Sequence, residues 1–470
     1  MTTTTTAFDV IVIGGGPAGS TIATRLGQLG HSVCIVERYG LKRHHVGESL
    51  SPGIWSQLQL LGATEAFKAT PYRLCNKVRV RWPGQPEENR QINGQPGVLV
   101  NRSEFDSMLL HFAIGNGVHC LSDSLITEQQ QIDGRWQFSV KQGQQDQPTL
   151  KLNSAFVVDA SGRATAMPGE KSYNGPKTFC LYGYWQGNDV PSVPTIQGTP
   201  ISWVWGMALP DNTFNAMVFV DELQLKQGAV RDLYHDIVRE SGLFDVAGDI
   251  ELIGKIRTCD ATPYISLDPV SDNHIRVGEA ALALDPLSSS GVQKAIHTAL
   301  SGAIAVHTLL KNPLNREAAK TFYRDSLDQS ALQHKQWAQD FYGTGASFYN
   351  TPFWQTRAQF NREDEPEQLP FIAQPVAQGK SLILSPELKW AEVPCITGEF
   401  IELYSSVEHP AFDQPVAFYS GHALAPLLKS LPAKALKPID IATLWESQLG
   451  LHSALSLVGW LMGHGLMVAA

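Results

Sequence analysis

The sequence predicts an α/β fold with a parallel sheet, an antiparallel sheet and a small C-terminal module, and three observations support this. The segment FDVIVIGGGPAGSTIATRLGQLGHSVCIVER reads as a buried strand, a glycine-rich turn, a helix and a second buried strand. The segments RWPGQPEENRQINGQPG and WGMALPDNTFNAMVFVDE place turn residues between strand-like runs, as β-hairpins do. Near the C-terminus, IATLWESQLG and LHSALSLVGWLMGHGLMV have helical periodicity and are joined at a glycine.

The glycines of the N-terminal turn have the spacing of a dinucleotide-binding loop, GxGxxG, between a strand and a helix. Glycine there allows a tight turn, close approach of a pyrophosphate to the backbone and close packing of helix on strand. The helix N-terminus adds N–H donors and a positive dipole end, and an acid after the second strand can accept hydrogen bonds from a ribose. We therefore predict a Rossmann-like domain with dinucleotide contacts at Gly14, Gly16, Pro17, Ala18, Gly19, Glu37 and Arg38.

Composition narrows the classes of partner. The net charge of −9 and the pI of about 5.9 argue against a nucleic-acid partner. The six cysteines are scattered without a CxxC pair, which disfavours a zinc site and a disulfide framework, so we predict no metal. The N-terminus MTTTTTAFDV lacks the regions of a secretion signal, and no apolar run reaches membrane-spanning length. We expect a cytoplasmic protein without an integral membrane segment.

Two later segments identify the dinucleotide. FVVDASGRAT and HIRVGEAALALDPLSSSGVQKAIHTALSGA, together with NRSEFDSMLL, resemble the para-hydroxybenzoate-hydroxylase-like superfamily, whose FAD-binding fold is of the GR2 type. The resemblance implies FAD, although this chain has Gly-Glu-Ala where that superfamily usually has Gly-Asp-Ala. A helix N-terminus at the pyrimidine edge would stabilise the charge of reduced flavin. The contacts implied are Arg102, Glu279, Asp285, Pro286, Ser290, Gly291 and Val292. For Arg102, a plain surface cation is the alternative.

The stretch HHVGESLSPGIWSQLQLLG, from His44 to Gly62, starts polar and ends apolar. Its Gly-Glu-Ser resembles that of flavin-dependent halogenases and geranylgeranyl-reductase-like proteins, which implies that Gly47, Glu48 and Ser49 line the isoalloxazine. Pro52 suits the start of a helix, and an ordinary helix capped by Ser49 or Ser51 fits as well.

A catalytic base is not assigned. His44, His45 and His297 lie in motifs near the expected flavin, but lone histidines are more often structural.

The superfamily branches, and the halogenase branch fits poorly. Halogenases carry a reactive lysine seven residues before a tryptophan, and counting back from Trp82 leads to Cys75, with Lys77 out of register. Tryptophan halogenases have a glutamate where this chain has Ser288. Trp203 and Trp205 partly match a halogenase element, and they could equally be core aromatics of one strand.

The DPLSSSG loop and the C-terminal part look closest to flavoproteins that accompany cysteine tryptophylquinone enzymes: quinohemoprotein amine dehydrogenases and glycine or lysine oxidases. That resemblance implies an FAD-dependent monooxygenase that uses O₂ to hydroxylate a tryptophan of a quinoprotein precursor, with NAD(P)H or a flavin reductase as electron donor. The alternatives are a halogenase or small-aromatic hydroxylase of a natural-product pathway, a geranylgeranyl-reductase-like enzyme, and a non-catalytic flavin-binding maturation factor.

The predicted domains interleave along the chain. Residues 1–70, 100–165 and 270–345 form the FAD-binding domain, and residues 71–99 and 166–269 form an antiparallel substrate sheet. A charged linker at 346–380 leads to a helical or winged-helix-like module at 381–470, which either docks a partner or stabilises the fold.

Overall fold

A computed structural model describes residues 5–40, 45–143, 149–244, 248–362, 371–377 and 379–470. The chain forms two compact units. Unit 1 comprises Met1–Leu310 and Tyr323–Glu363, and unit 2 comprises Lys311–Phe322 and Asp364–Ala470.

Strands and helices interleave along the chain up to residue 360. The strands are β1 (Thr5–Ile13), β2 (Val33–Val36), β3 (Ser49–Leu50), β4 (Tyr72–Cys75), β5 (Lys77–Arg81), β6 (Glu88–Gln91), β7 (Gly97–Val100), β8 (His119–Leu121), β9 (Ser124–Ile132), β10 (Arg135–Gln142), β11 (Leu150–Asp159), β12 (Lys171–Tyr173), β13 (Thr178–Gly187), β14 (Thr195–Thr199), β15 (Ser202–Ala208), β16 (Phe214–Asp221), β17 (Ile250–Asp260), β18 (Tyr264–Ser266), β19 (His274–Arg276) and β20 (Leu282–Ala283). The α-helices are α1 (Pro17–Gln28), α2 (Ile54–Leu61), α3 (Thr64–Lys68), α4 (Arg102–Gly115), α5 (Glu222–Leu225), α6 (Val230–Ser241), α7 (Gly291–Lys311), α8 (Arg316–Tyr349) and α9 (Pro352–Ala358). Short 3₁₀ turns lie at Gly162–Ala164, Gly278–Ala280, Pro286–Ser288 and Pro313–Asn315.

The predicted Rossmann-like sheet is present in unit 1. Its strand order is β8-β2-β1-β11-β10-β9, with β19 also paired to β11. Strands β8, β2, β1, β11 and β19 run parallel, and β10 and β9 extend the sheet as antiparallel strands. The apolar run Val10–Val12 at its centre is fully buried, as a strand covered on both faces requires.

The second sheet has the order β17-β13-β16-β15-β14-β5-β6. Its strands pair in antiparallel fashion except for β14 and β5, which run parallel. Both predicted hairpins are found, β5–β6 and β15–β16, and the second turns through Asn212, whose φ is +64°. One face packs on α6, and the other carries a cluster rich in tryptophan and tyrosine. That aromatic face borders the site described below.

The predicted linker differs from the structure within its described part. Tyr349 still belongs to α8, and α9 is a helix whose Trp354 is fully buried and donates from Nε1 to the carbonyl of Thr199. Most of the charged segment 360–370 lies outside the described residues. The boundaries between predicted domains stay a prediction.

Unit 2 contains the predicted C-terminal strand and the two helices joined at a glycine. Its elements are β21 (Leu382–Leu384), β22 (Lys389–Thr397), β23 (Phe400–Glu408), β24 (Phe418–Tyr419), β25 (His422–Ala423), β26 (Met467–Ala469), α10 (Leu424–Lys429), α11 (Pro438–Leu449) and α12 (Leu451–Gly463). Gly450, with φ of +76°, separates α11 from α12. Trp445 and Leu457 are fully buried in its own core.

Within the described ranges, no helix combines the length and the apolar character that crossing a bilayer requires.

Candidate functional site

Close backbone contacts determine which residues the dinucleotide loop, residues 14–19, can contain. Gly14 has a φ of +102°, and a Cβ there would lie 2.6 Å from the carbonyl oxygen of Ala160. A Cβ on Gly19 would lie 1.9 Å from the carbonyl oxygen of Gly14. No side chain caps the start of α1, which Gly16 and Pro17 begin. The two tight positions therefore need glycine, as the turn and the close packing of helix on strand predict.

Glu37 follows β2 and is almost completely buried. Its Oε2 accepts from the N–H of Gly15 at 2.5 Å, and its Oε1 accepts from the N–H of Tyr39 at 2.9 Å. These bonds hold the carboxylate beside the loop, where a ribose acceptor is predicted. Arg38 is exposed, with its guanidinium 5.5 Å from the ring of Tyr39, and its contact with the cofactor stays a prediction.

Arg102 begins α4, and Asn101 caps that helix by accepting from the N–H of Ser103. The guanidinium is buried and binds both carboxylate oxygens of Asp106, at 2.9 and 3.1 Å. It also donates to the carbonyl of Val46 at 2.8 Å. The alternative that Arg102 is a surface cation is therefore wrong, because its guanidinium is buried and makes charge-assisted hydrogen bonds inside the protein.

Glu48, in the Gly-Glu-Ser segment (the GES segment), is buried and joins that segment to the large sheet. The Tyr184 hydroxyl donates to its Oε1 at 2.6 Å, and Asn215 Nδ2 donates to its Oε2 at 3.0 Å. The N–H of Gly47 donates to the same Oε2 at 2.9 Å. Burial raises the pKa of the Glu48 carboxyl above its usual value, although these hydrogen bonds and Arg102 oppose the shift.

The loop before α7, residues 285–290, is anchored by a buried chain of hydrogen bonds. Trp203 Nε1 donates to the hydroxyl of Tyr342 at 3.0 Å, and that hydroxyl donates to Asp285 Oδ1 at 3.1 Å. Asp285 Oδ1 also accepts from the N–H of Leu287 at 3.0 Å, and burial raises the pKa of this carboxyl. Pro286 opens a 3₁₀ turn.

The end of this loop faces open space. The hydroxyls of Ser288 and Ser290 lie 2.6 Å apart, and α7 then begins at Gly291, ahead of Val292. Apart from the adjacent residues and the backbone of α7, no described atom lies within 4 Å of the position that a Cβ on Gly291 would take. The start of α7 is thus accessible to a ligand, and its contact with the flavin stays a prediction.

Glu279 lies in the Gly278–Ala280 turn, with its carboxylate 3.3 Å from the guanidinium of Arg163. A Cβ on Gly278 would lie 2.7 Å from the Cβ of Ala18, so this turn packs on the start of α1. The Glu279 side chain is 44% exposed, which leaves it able to meet a ligand.

The segment that contains Gly-Glu-Ser lies next to the start of α7. The Ser51 hydroxyl donates to the side-chain oxygen of Gln293 on that helix. A Cβ on Gly53 would also collide with Gln293. The predicted side-chain cap of α2 is wrong: Gly53 is its N-cap, and neither Ser49 nor Ser51 caps it. Ser51 serves instead to join the GES segment to α7.

A cavity of about 210 Å³ lies between the GES segment and the loop before α7, and we call it the GES cavity. Its lining is mostly apolar and aromatic: Ser49, Leu50, Ser51, Pro52, Cys75, Val78, Val80, Arg90, Ile92, Gly97, Ile196, Trp205, Leu287, Ser289, Trp337 and Phe341. An apolar cavity of about 150 Å³ can hold a benzene ring, so this one has room for a somewhat larger ring.

The two positions compared with the halogenase lysine have different surroundings. Cys75 lines the GES cavity, whereas Lys77 is exposed at the start of β5. Among the described lining residues there is no lysine. Burial also raises the pKa of the Cys75 thiol, which keeps it protonated.

Trp203 and Trp205 lie on one strand and also differ in their surroundings. Trp203 is a core residue stacked on Phe219, with 3.8 Å between ring centroids. Trp205 lines the cavity, and its buried Nε1 has no hydrogen-bond acceptor among the described residues.

The candidate histidines gain no support as catalytic bases. His44 lies outside the described residues, and His45 and His297 are exposed and absent from the cavity lining. The residues that sequence reasoning missed are Tyr184, Asn215 and Tyr342, whose partners lie far away along the chain.

Sequence similarity connects the chain to known enzymes. The chain matches the tryptophan halogenase family over residues 9–175 and 98–382. A tryptophan 2-halogenase of Chondromyces crocatus is 31% identical over 379 residues, 76% of this chain and 71% of that protein.

Two solved structures share the fold over nearly the whole chain. The flavin-dependent halogenase CmlS covers 99% of this chain and 96% of its own, with a TM-score of 0.80 and 21% identity. QhpG, a peptidyl tryptophan dihydroxylase essential for tryptophylquinone cofactor biogenesis, covers 98% and 100%, with a TM-score of 0.75 and 24% identity. These likenesses confirm the predicted fold class. The chain belongs to the tryptophan halogenase family of flavin-dependent enzymes, and its cofactor is FAD.

Proposed function

We propose that this member of the tryptophan halogenase family is an FAD-dependent monooxygenase that hydroxylates a tryptophan held in a quinoprotein precursor. The dinucleotide loop, Glu37, Arg102 and the start of α7 would hold the FAD. When bound and reduced, FAD activates O₂ and supplies an oxygen atom to an electron-rich aromatic carbon.

The observation that carries this proposal is the lining of the GES cavity. The resemblance to halogenases implies that halogenation proceeds through a lysine amine. The position seven residues before Trp82, where that lysine is expected, is Cys75, whose thiol lines the cavity. A protonated thiol offers no amine to carry a halogen, and Lys77 is exposed instead. Hydroxylation needs no such lysine, because the remaining task is to orient the ring and exclude water.

The cavity suits an indole ring. Trp205, Trp337 and Phe341 provide aromatic surfaces for packing, and Arg90 is the one charged residue of the described lining. Glu48 positions the GES wall of the cavity through Tyr184 and Asn215 rather than by touching the substrate. The catalytic base stays unassigned.

Unit 2 supplies a candidate surface for the partner protein. The side chains of Ile439, Leu444, Leu451 and Leu455 on α11 and α12 are between 39% and 50% exposed. Apolar side chains exposed on neighbouring helices are typical of protein-docking surfaces. The likeness to QhpG over almost the whole chain supports a peptidyl substrate, although CmlS also matches almost the whole chain.

The test supplies the protein with reduced FAD and O₂, and with the unmodified quinoprotein precursor, free tryptophan or a halide salt plus tryptophan. We expect oxygen to be added to the precursor, detected by mass spectrometry, and no halogenated product. Leu444→Glu should weaken capture of the precursor, whereas Leu223→Glu, at an exposed leucine of α5, should not. Oxygen added to free tryptophan but not to the precursor would refute the protein substrate.

Halogenation of a small aromatic molecule is the second candidate, and the 31% identity to a tryptophan 2-halogenase favours it. If it is correct, chloride or bromide should give a halogenated indole, pyrrole or phenol. Lys77→Ala should then abolish that product while flavin oxidation continues, and Lys141→Ala, at another exposed lysine, should have no effect. Any such product from the wild-type protein would overturn the monooxygenase proposal.

A further inference from the structure

Two cysteines face each other at one edge of the large sheet. Cys180 on β13 and Cys259 on β17 are direct partners in the antiparallel register. Residues paired in this way have Cα atoms roughly 4.5–5.5 Å apart, which lies within the range that a disulfide spans. Both are free thiols in the structure. The backbone therefore already holds them close enough to be linked.

The two thiols have different environments. Cys180 is buried, and burial raises its pKa. Cys259 is partly exposed, and the adjacent Cys180 thiol, together with the positive charge of Arg163, lowers its pKa against the opposing effect of burial. An accessible thiol of lowered pKa next to a second thiol is the arrangement of peroxide-sensing cysteines.

The pair lies close to the predicted FAD contacts. Arg163, which lowers the pKa of Cys259, also lies 3.6 Å from the carboxylate of Asp260 and 3.3 Å from that of Glu279. Glu279 belongs to the turn that packs on the dinucleotide loop. Reduced flavins that meet O₂ without an oxidisable substrate release hydrogen peroxide, so this oxidant would form near the pair.

We propose that Cys180 and Cys259 form a peroxide-oxidised dithiol. The Cys259 thiolate attacks one oxygen of hydrogen peroxide, the O–O bond breaks, and the product is a sulfenic acid, with hydroxide released and protonated to water. The Cys180 sulfur then attacks the sulfenic sulfur, the S–O bond breaks, and a second water leaves as the Cys180 proton is transferred. The two thiols lose two electrons in all, and peroxide gains them. The proposal is independent of whether the enzyme hydroxylates or halogenates.

Two further cysteines serve as controls for the reactivity of the thiols. Cys34 on β2 and Cys120 on β8 lie on neighbouring parallel strands, but Cys34 pairs with His119 and Cys120 with Ile35, so the two thiols lie on opposite faces of the sheet. Burial raises the pKa of Cys34 to about 12 and that of Cys120 to about 11. Both therefore stay protonated at neutral pH and should resist peroxide.

The test treats the FAD-loaded, full-length protein with hydrogen peroxide at neutral pH and maps linked peptides by mass spectrometry without reduction. We expect a Cys180–Cys259 peptide that dithiothreitol removes, and no oxidation of Cys34 or Cys120. Iodoacetamide should label Cys259 at least about tenfold faster than Cys34, since each pKa unit changes the thiolate fraction about tenfold.

Two variants separate the steps. In Cys180→Ser, Cys259 should stop at the sulfenic acid, which dimedone captures, and in Cys259→Ser, Cys180 should stay reduced. The proposal is overturned if the wild-type protein yields no Cys180–Cys259 link, or if Cys34 and Cys120 are oxidised as readily as Cys259.

Discussion

The dinucleotide loop and the GES cavity belong to the same unit, and they are built in opposite ways. The loop consists of consecutive residues, and its shape follows from a left-handed Gly14 and from Gly19 in contact with the backbone. The cavity is lined by side chains from many segments, including Cys75 from β4, Trp205 from β15 and Phe341 from α8. The shape of the loop therefore tolerates few side chains, while the shape of the cavity depends on residues that lie far apart in the sequence.

The largest effect is expected at the loop. Gly14→Ala combines left-handed strain with a collision against the carbonyl of Ala160, which should cost about 3 kcal/mol or more and reduce FAD affinity at least 100-fold, as a rough estimate. The control is Gly30→Ala, where φ is +83° but no described atom lies within 4 Å of a Cβ. That variant should lose about 1–2 kcal/mol and keep its FAD. Flavin absorbance of the purified variants and their thermal unfolding provide the measurement, and equal FAD loss in both would show that crowding is not the cause.

A smaller effect is expected at Glu48, which connects the two regions. Glu48→Ala removes the acceptor of three donors, the buried side-chain amide of Asn215 and the half-buried Tyr184 hydroxyl and Gly47 N–H, and should cost about 2–3 kcal/mol. The free energy of unfolding in urea, compared between the wild type and the variant, measures this loss of stability. A loss below about 0.5 kcal/mol would show that water replaces the carboxylate.

The pH dependence of Glu48 has a definite sign. Because burial raises its pKa in the folded protein, the protonated form is favoured there, and its contribution is fully present below the unfolded pKa. That contribution is lost as the pH rises through the folded pKa. The free energy of unfolding of the wild type, relative to Glu48→Gln, should therefore fall with rising pH over that window. A difference that grows with pH would mean that the carboxylate is the preferred form.

The smallest effects on stability are expected at the two tryptophans of β15. Trp203→Phe removes the buried hydrogen bond to Tyr342 and should cost about 1–2 kcal/mol. Trp205→Phe removes an N–H that has no acceptor among the described residues, so the loss of stability should be smaller. Its effect should fall on substrate turnover, because Trp205 lines the cavity. Chemical denaturation and turnover assays on both variants distinguish these outcomes, and the opposite ranking in stability would contradict them.

The features of the fold that could be predicted from the sequence are those determined by residues close together in the chain. The glycine spacing, the strand–turn–helix order and the hairpin turns depend on neighbouring residues, and the structure contains each of them. The contact of Gly53 with Gln293 of α7 was not predictable, since the two residues are far apart in the sequence. The same holds for the partners of Glu48 and for the Cys180–Cys259 register, because each joins residues from distant strands. Long-range pairing depends on how the sheets assemble, and one sequence does not display it.

The parallel pairing of β5 with β14 has a consequence for the order of events during synthesis. Arg79 pairs with Thr195, so β5 emerges from the ribosome more than a hundred residues before its neighbour. At about 5–20 residues per second, the β5–β6 hairpin waits on the order of ten seconds. An isolated two-stranded hairpin is marginal in water, so β5 joins the sheet only after β14 has appeared. The wall of the GES cavity that Val78 and Val80 provide is thus a late product of folding, and nascent chains halted before β14 would lack it.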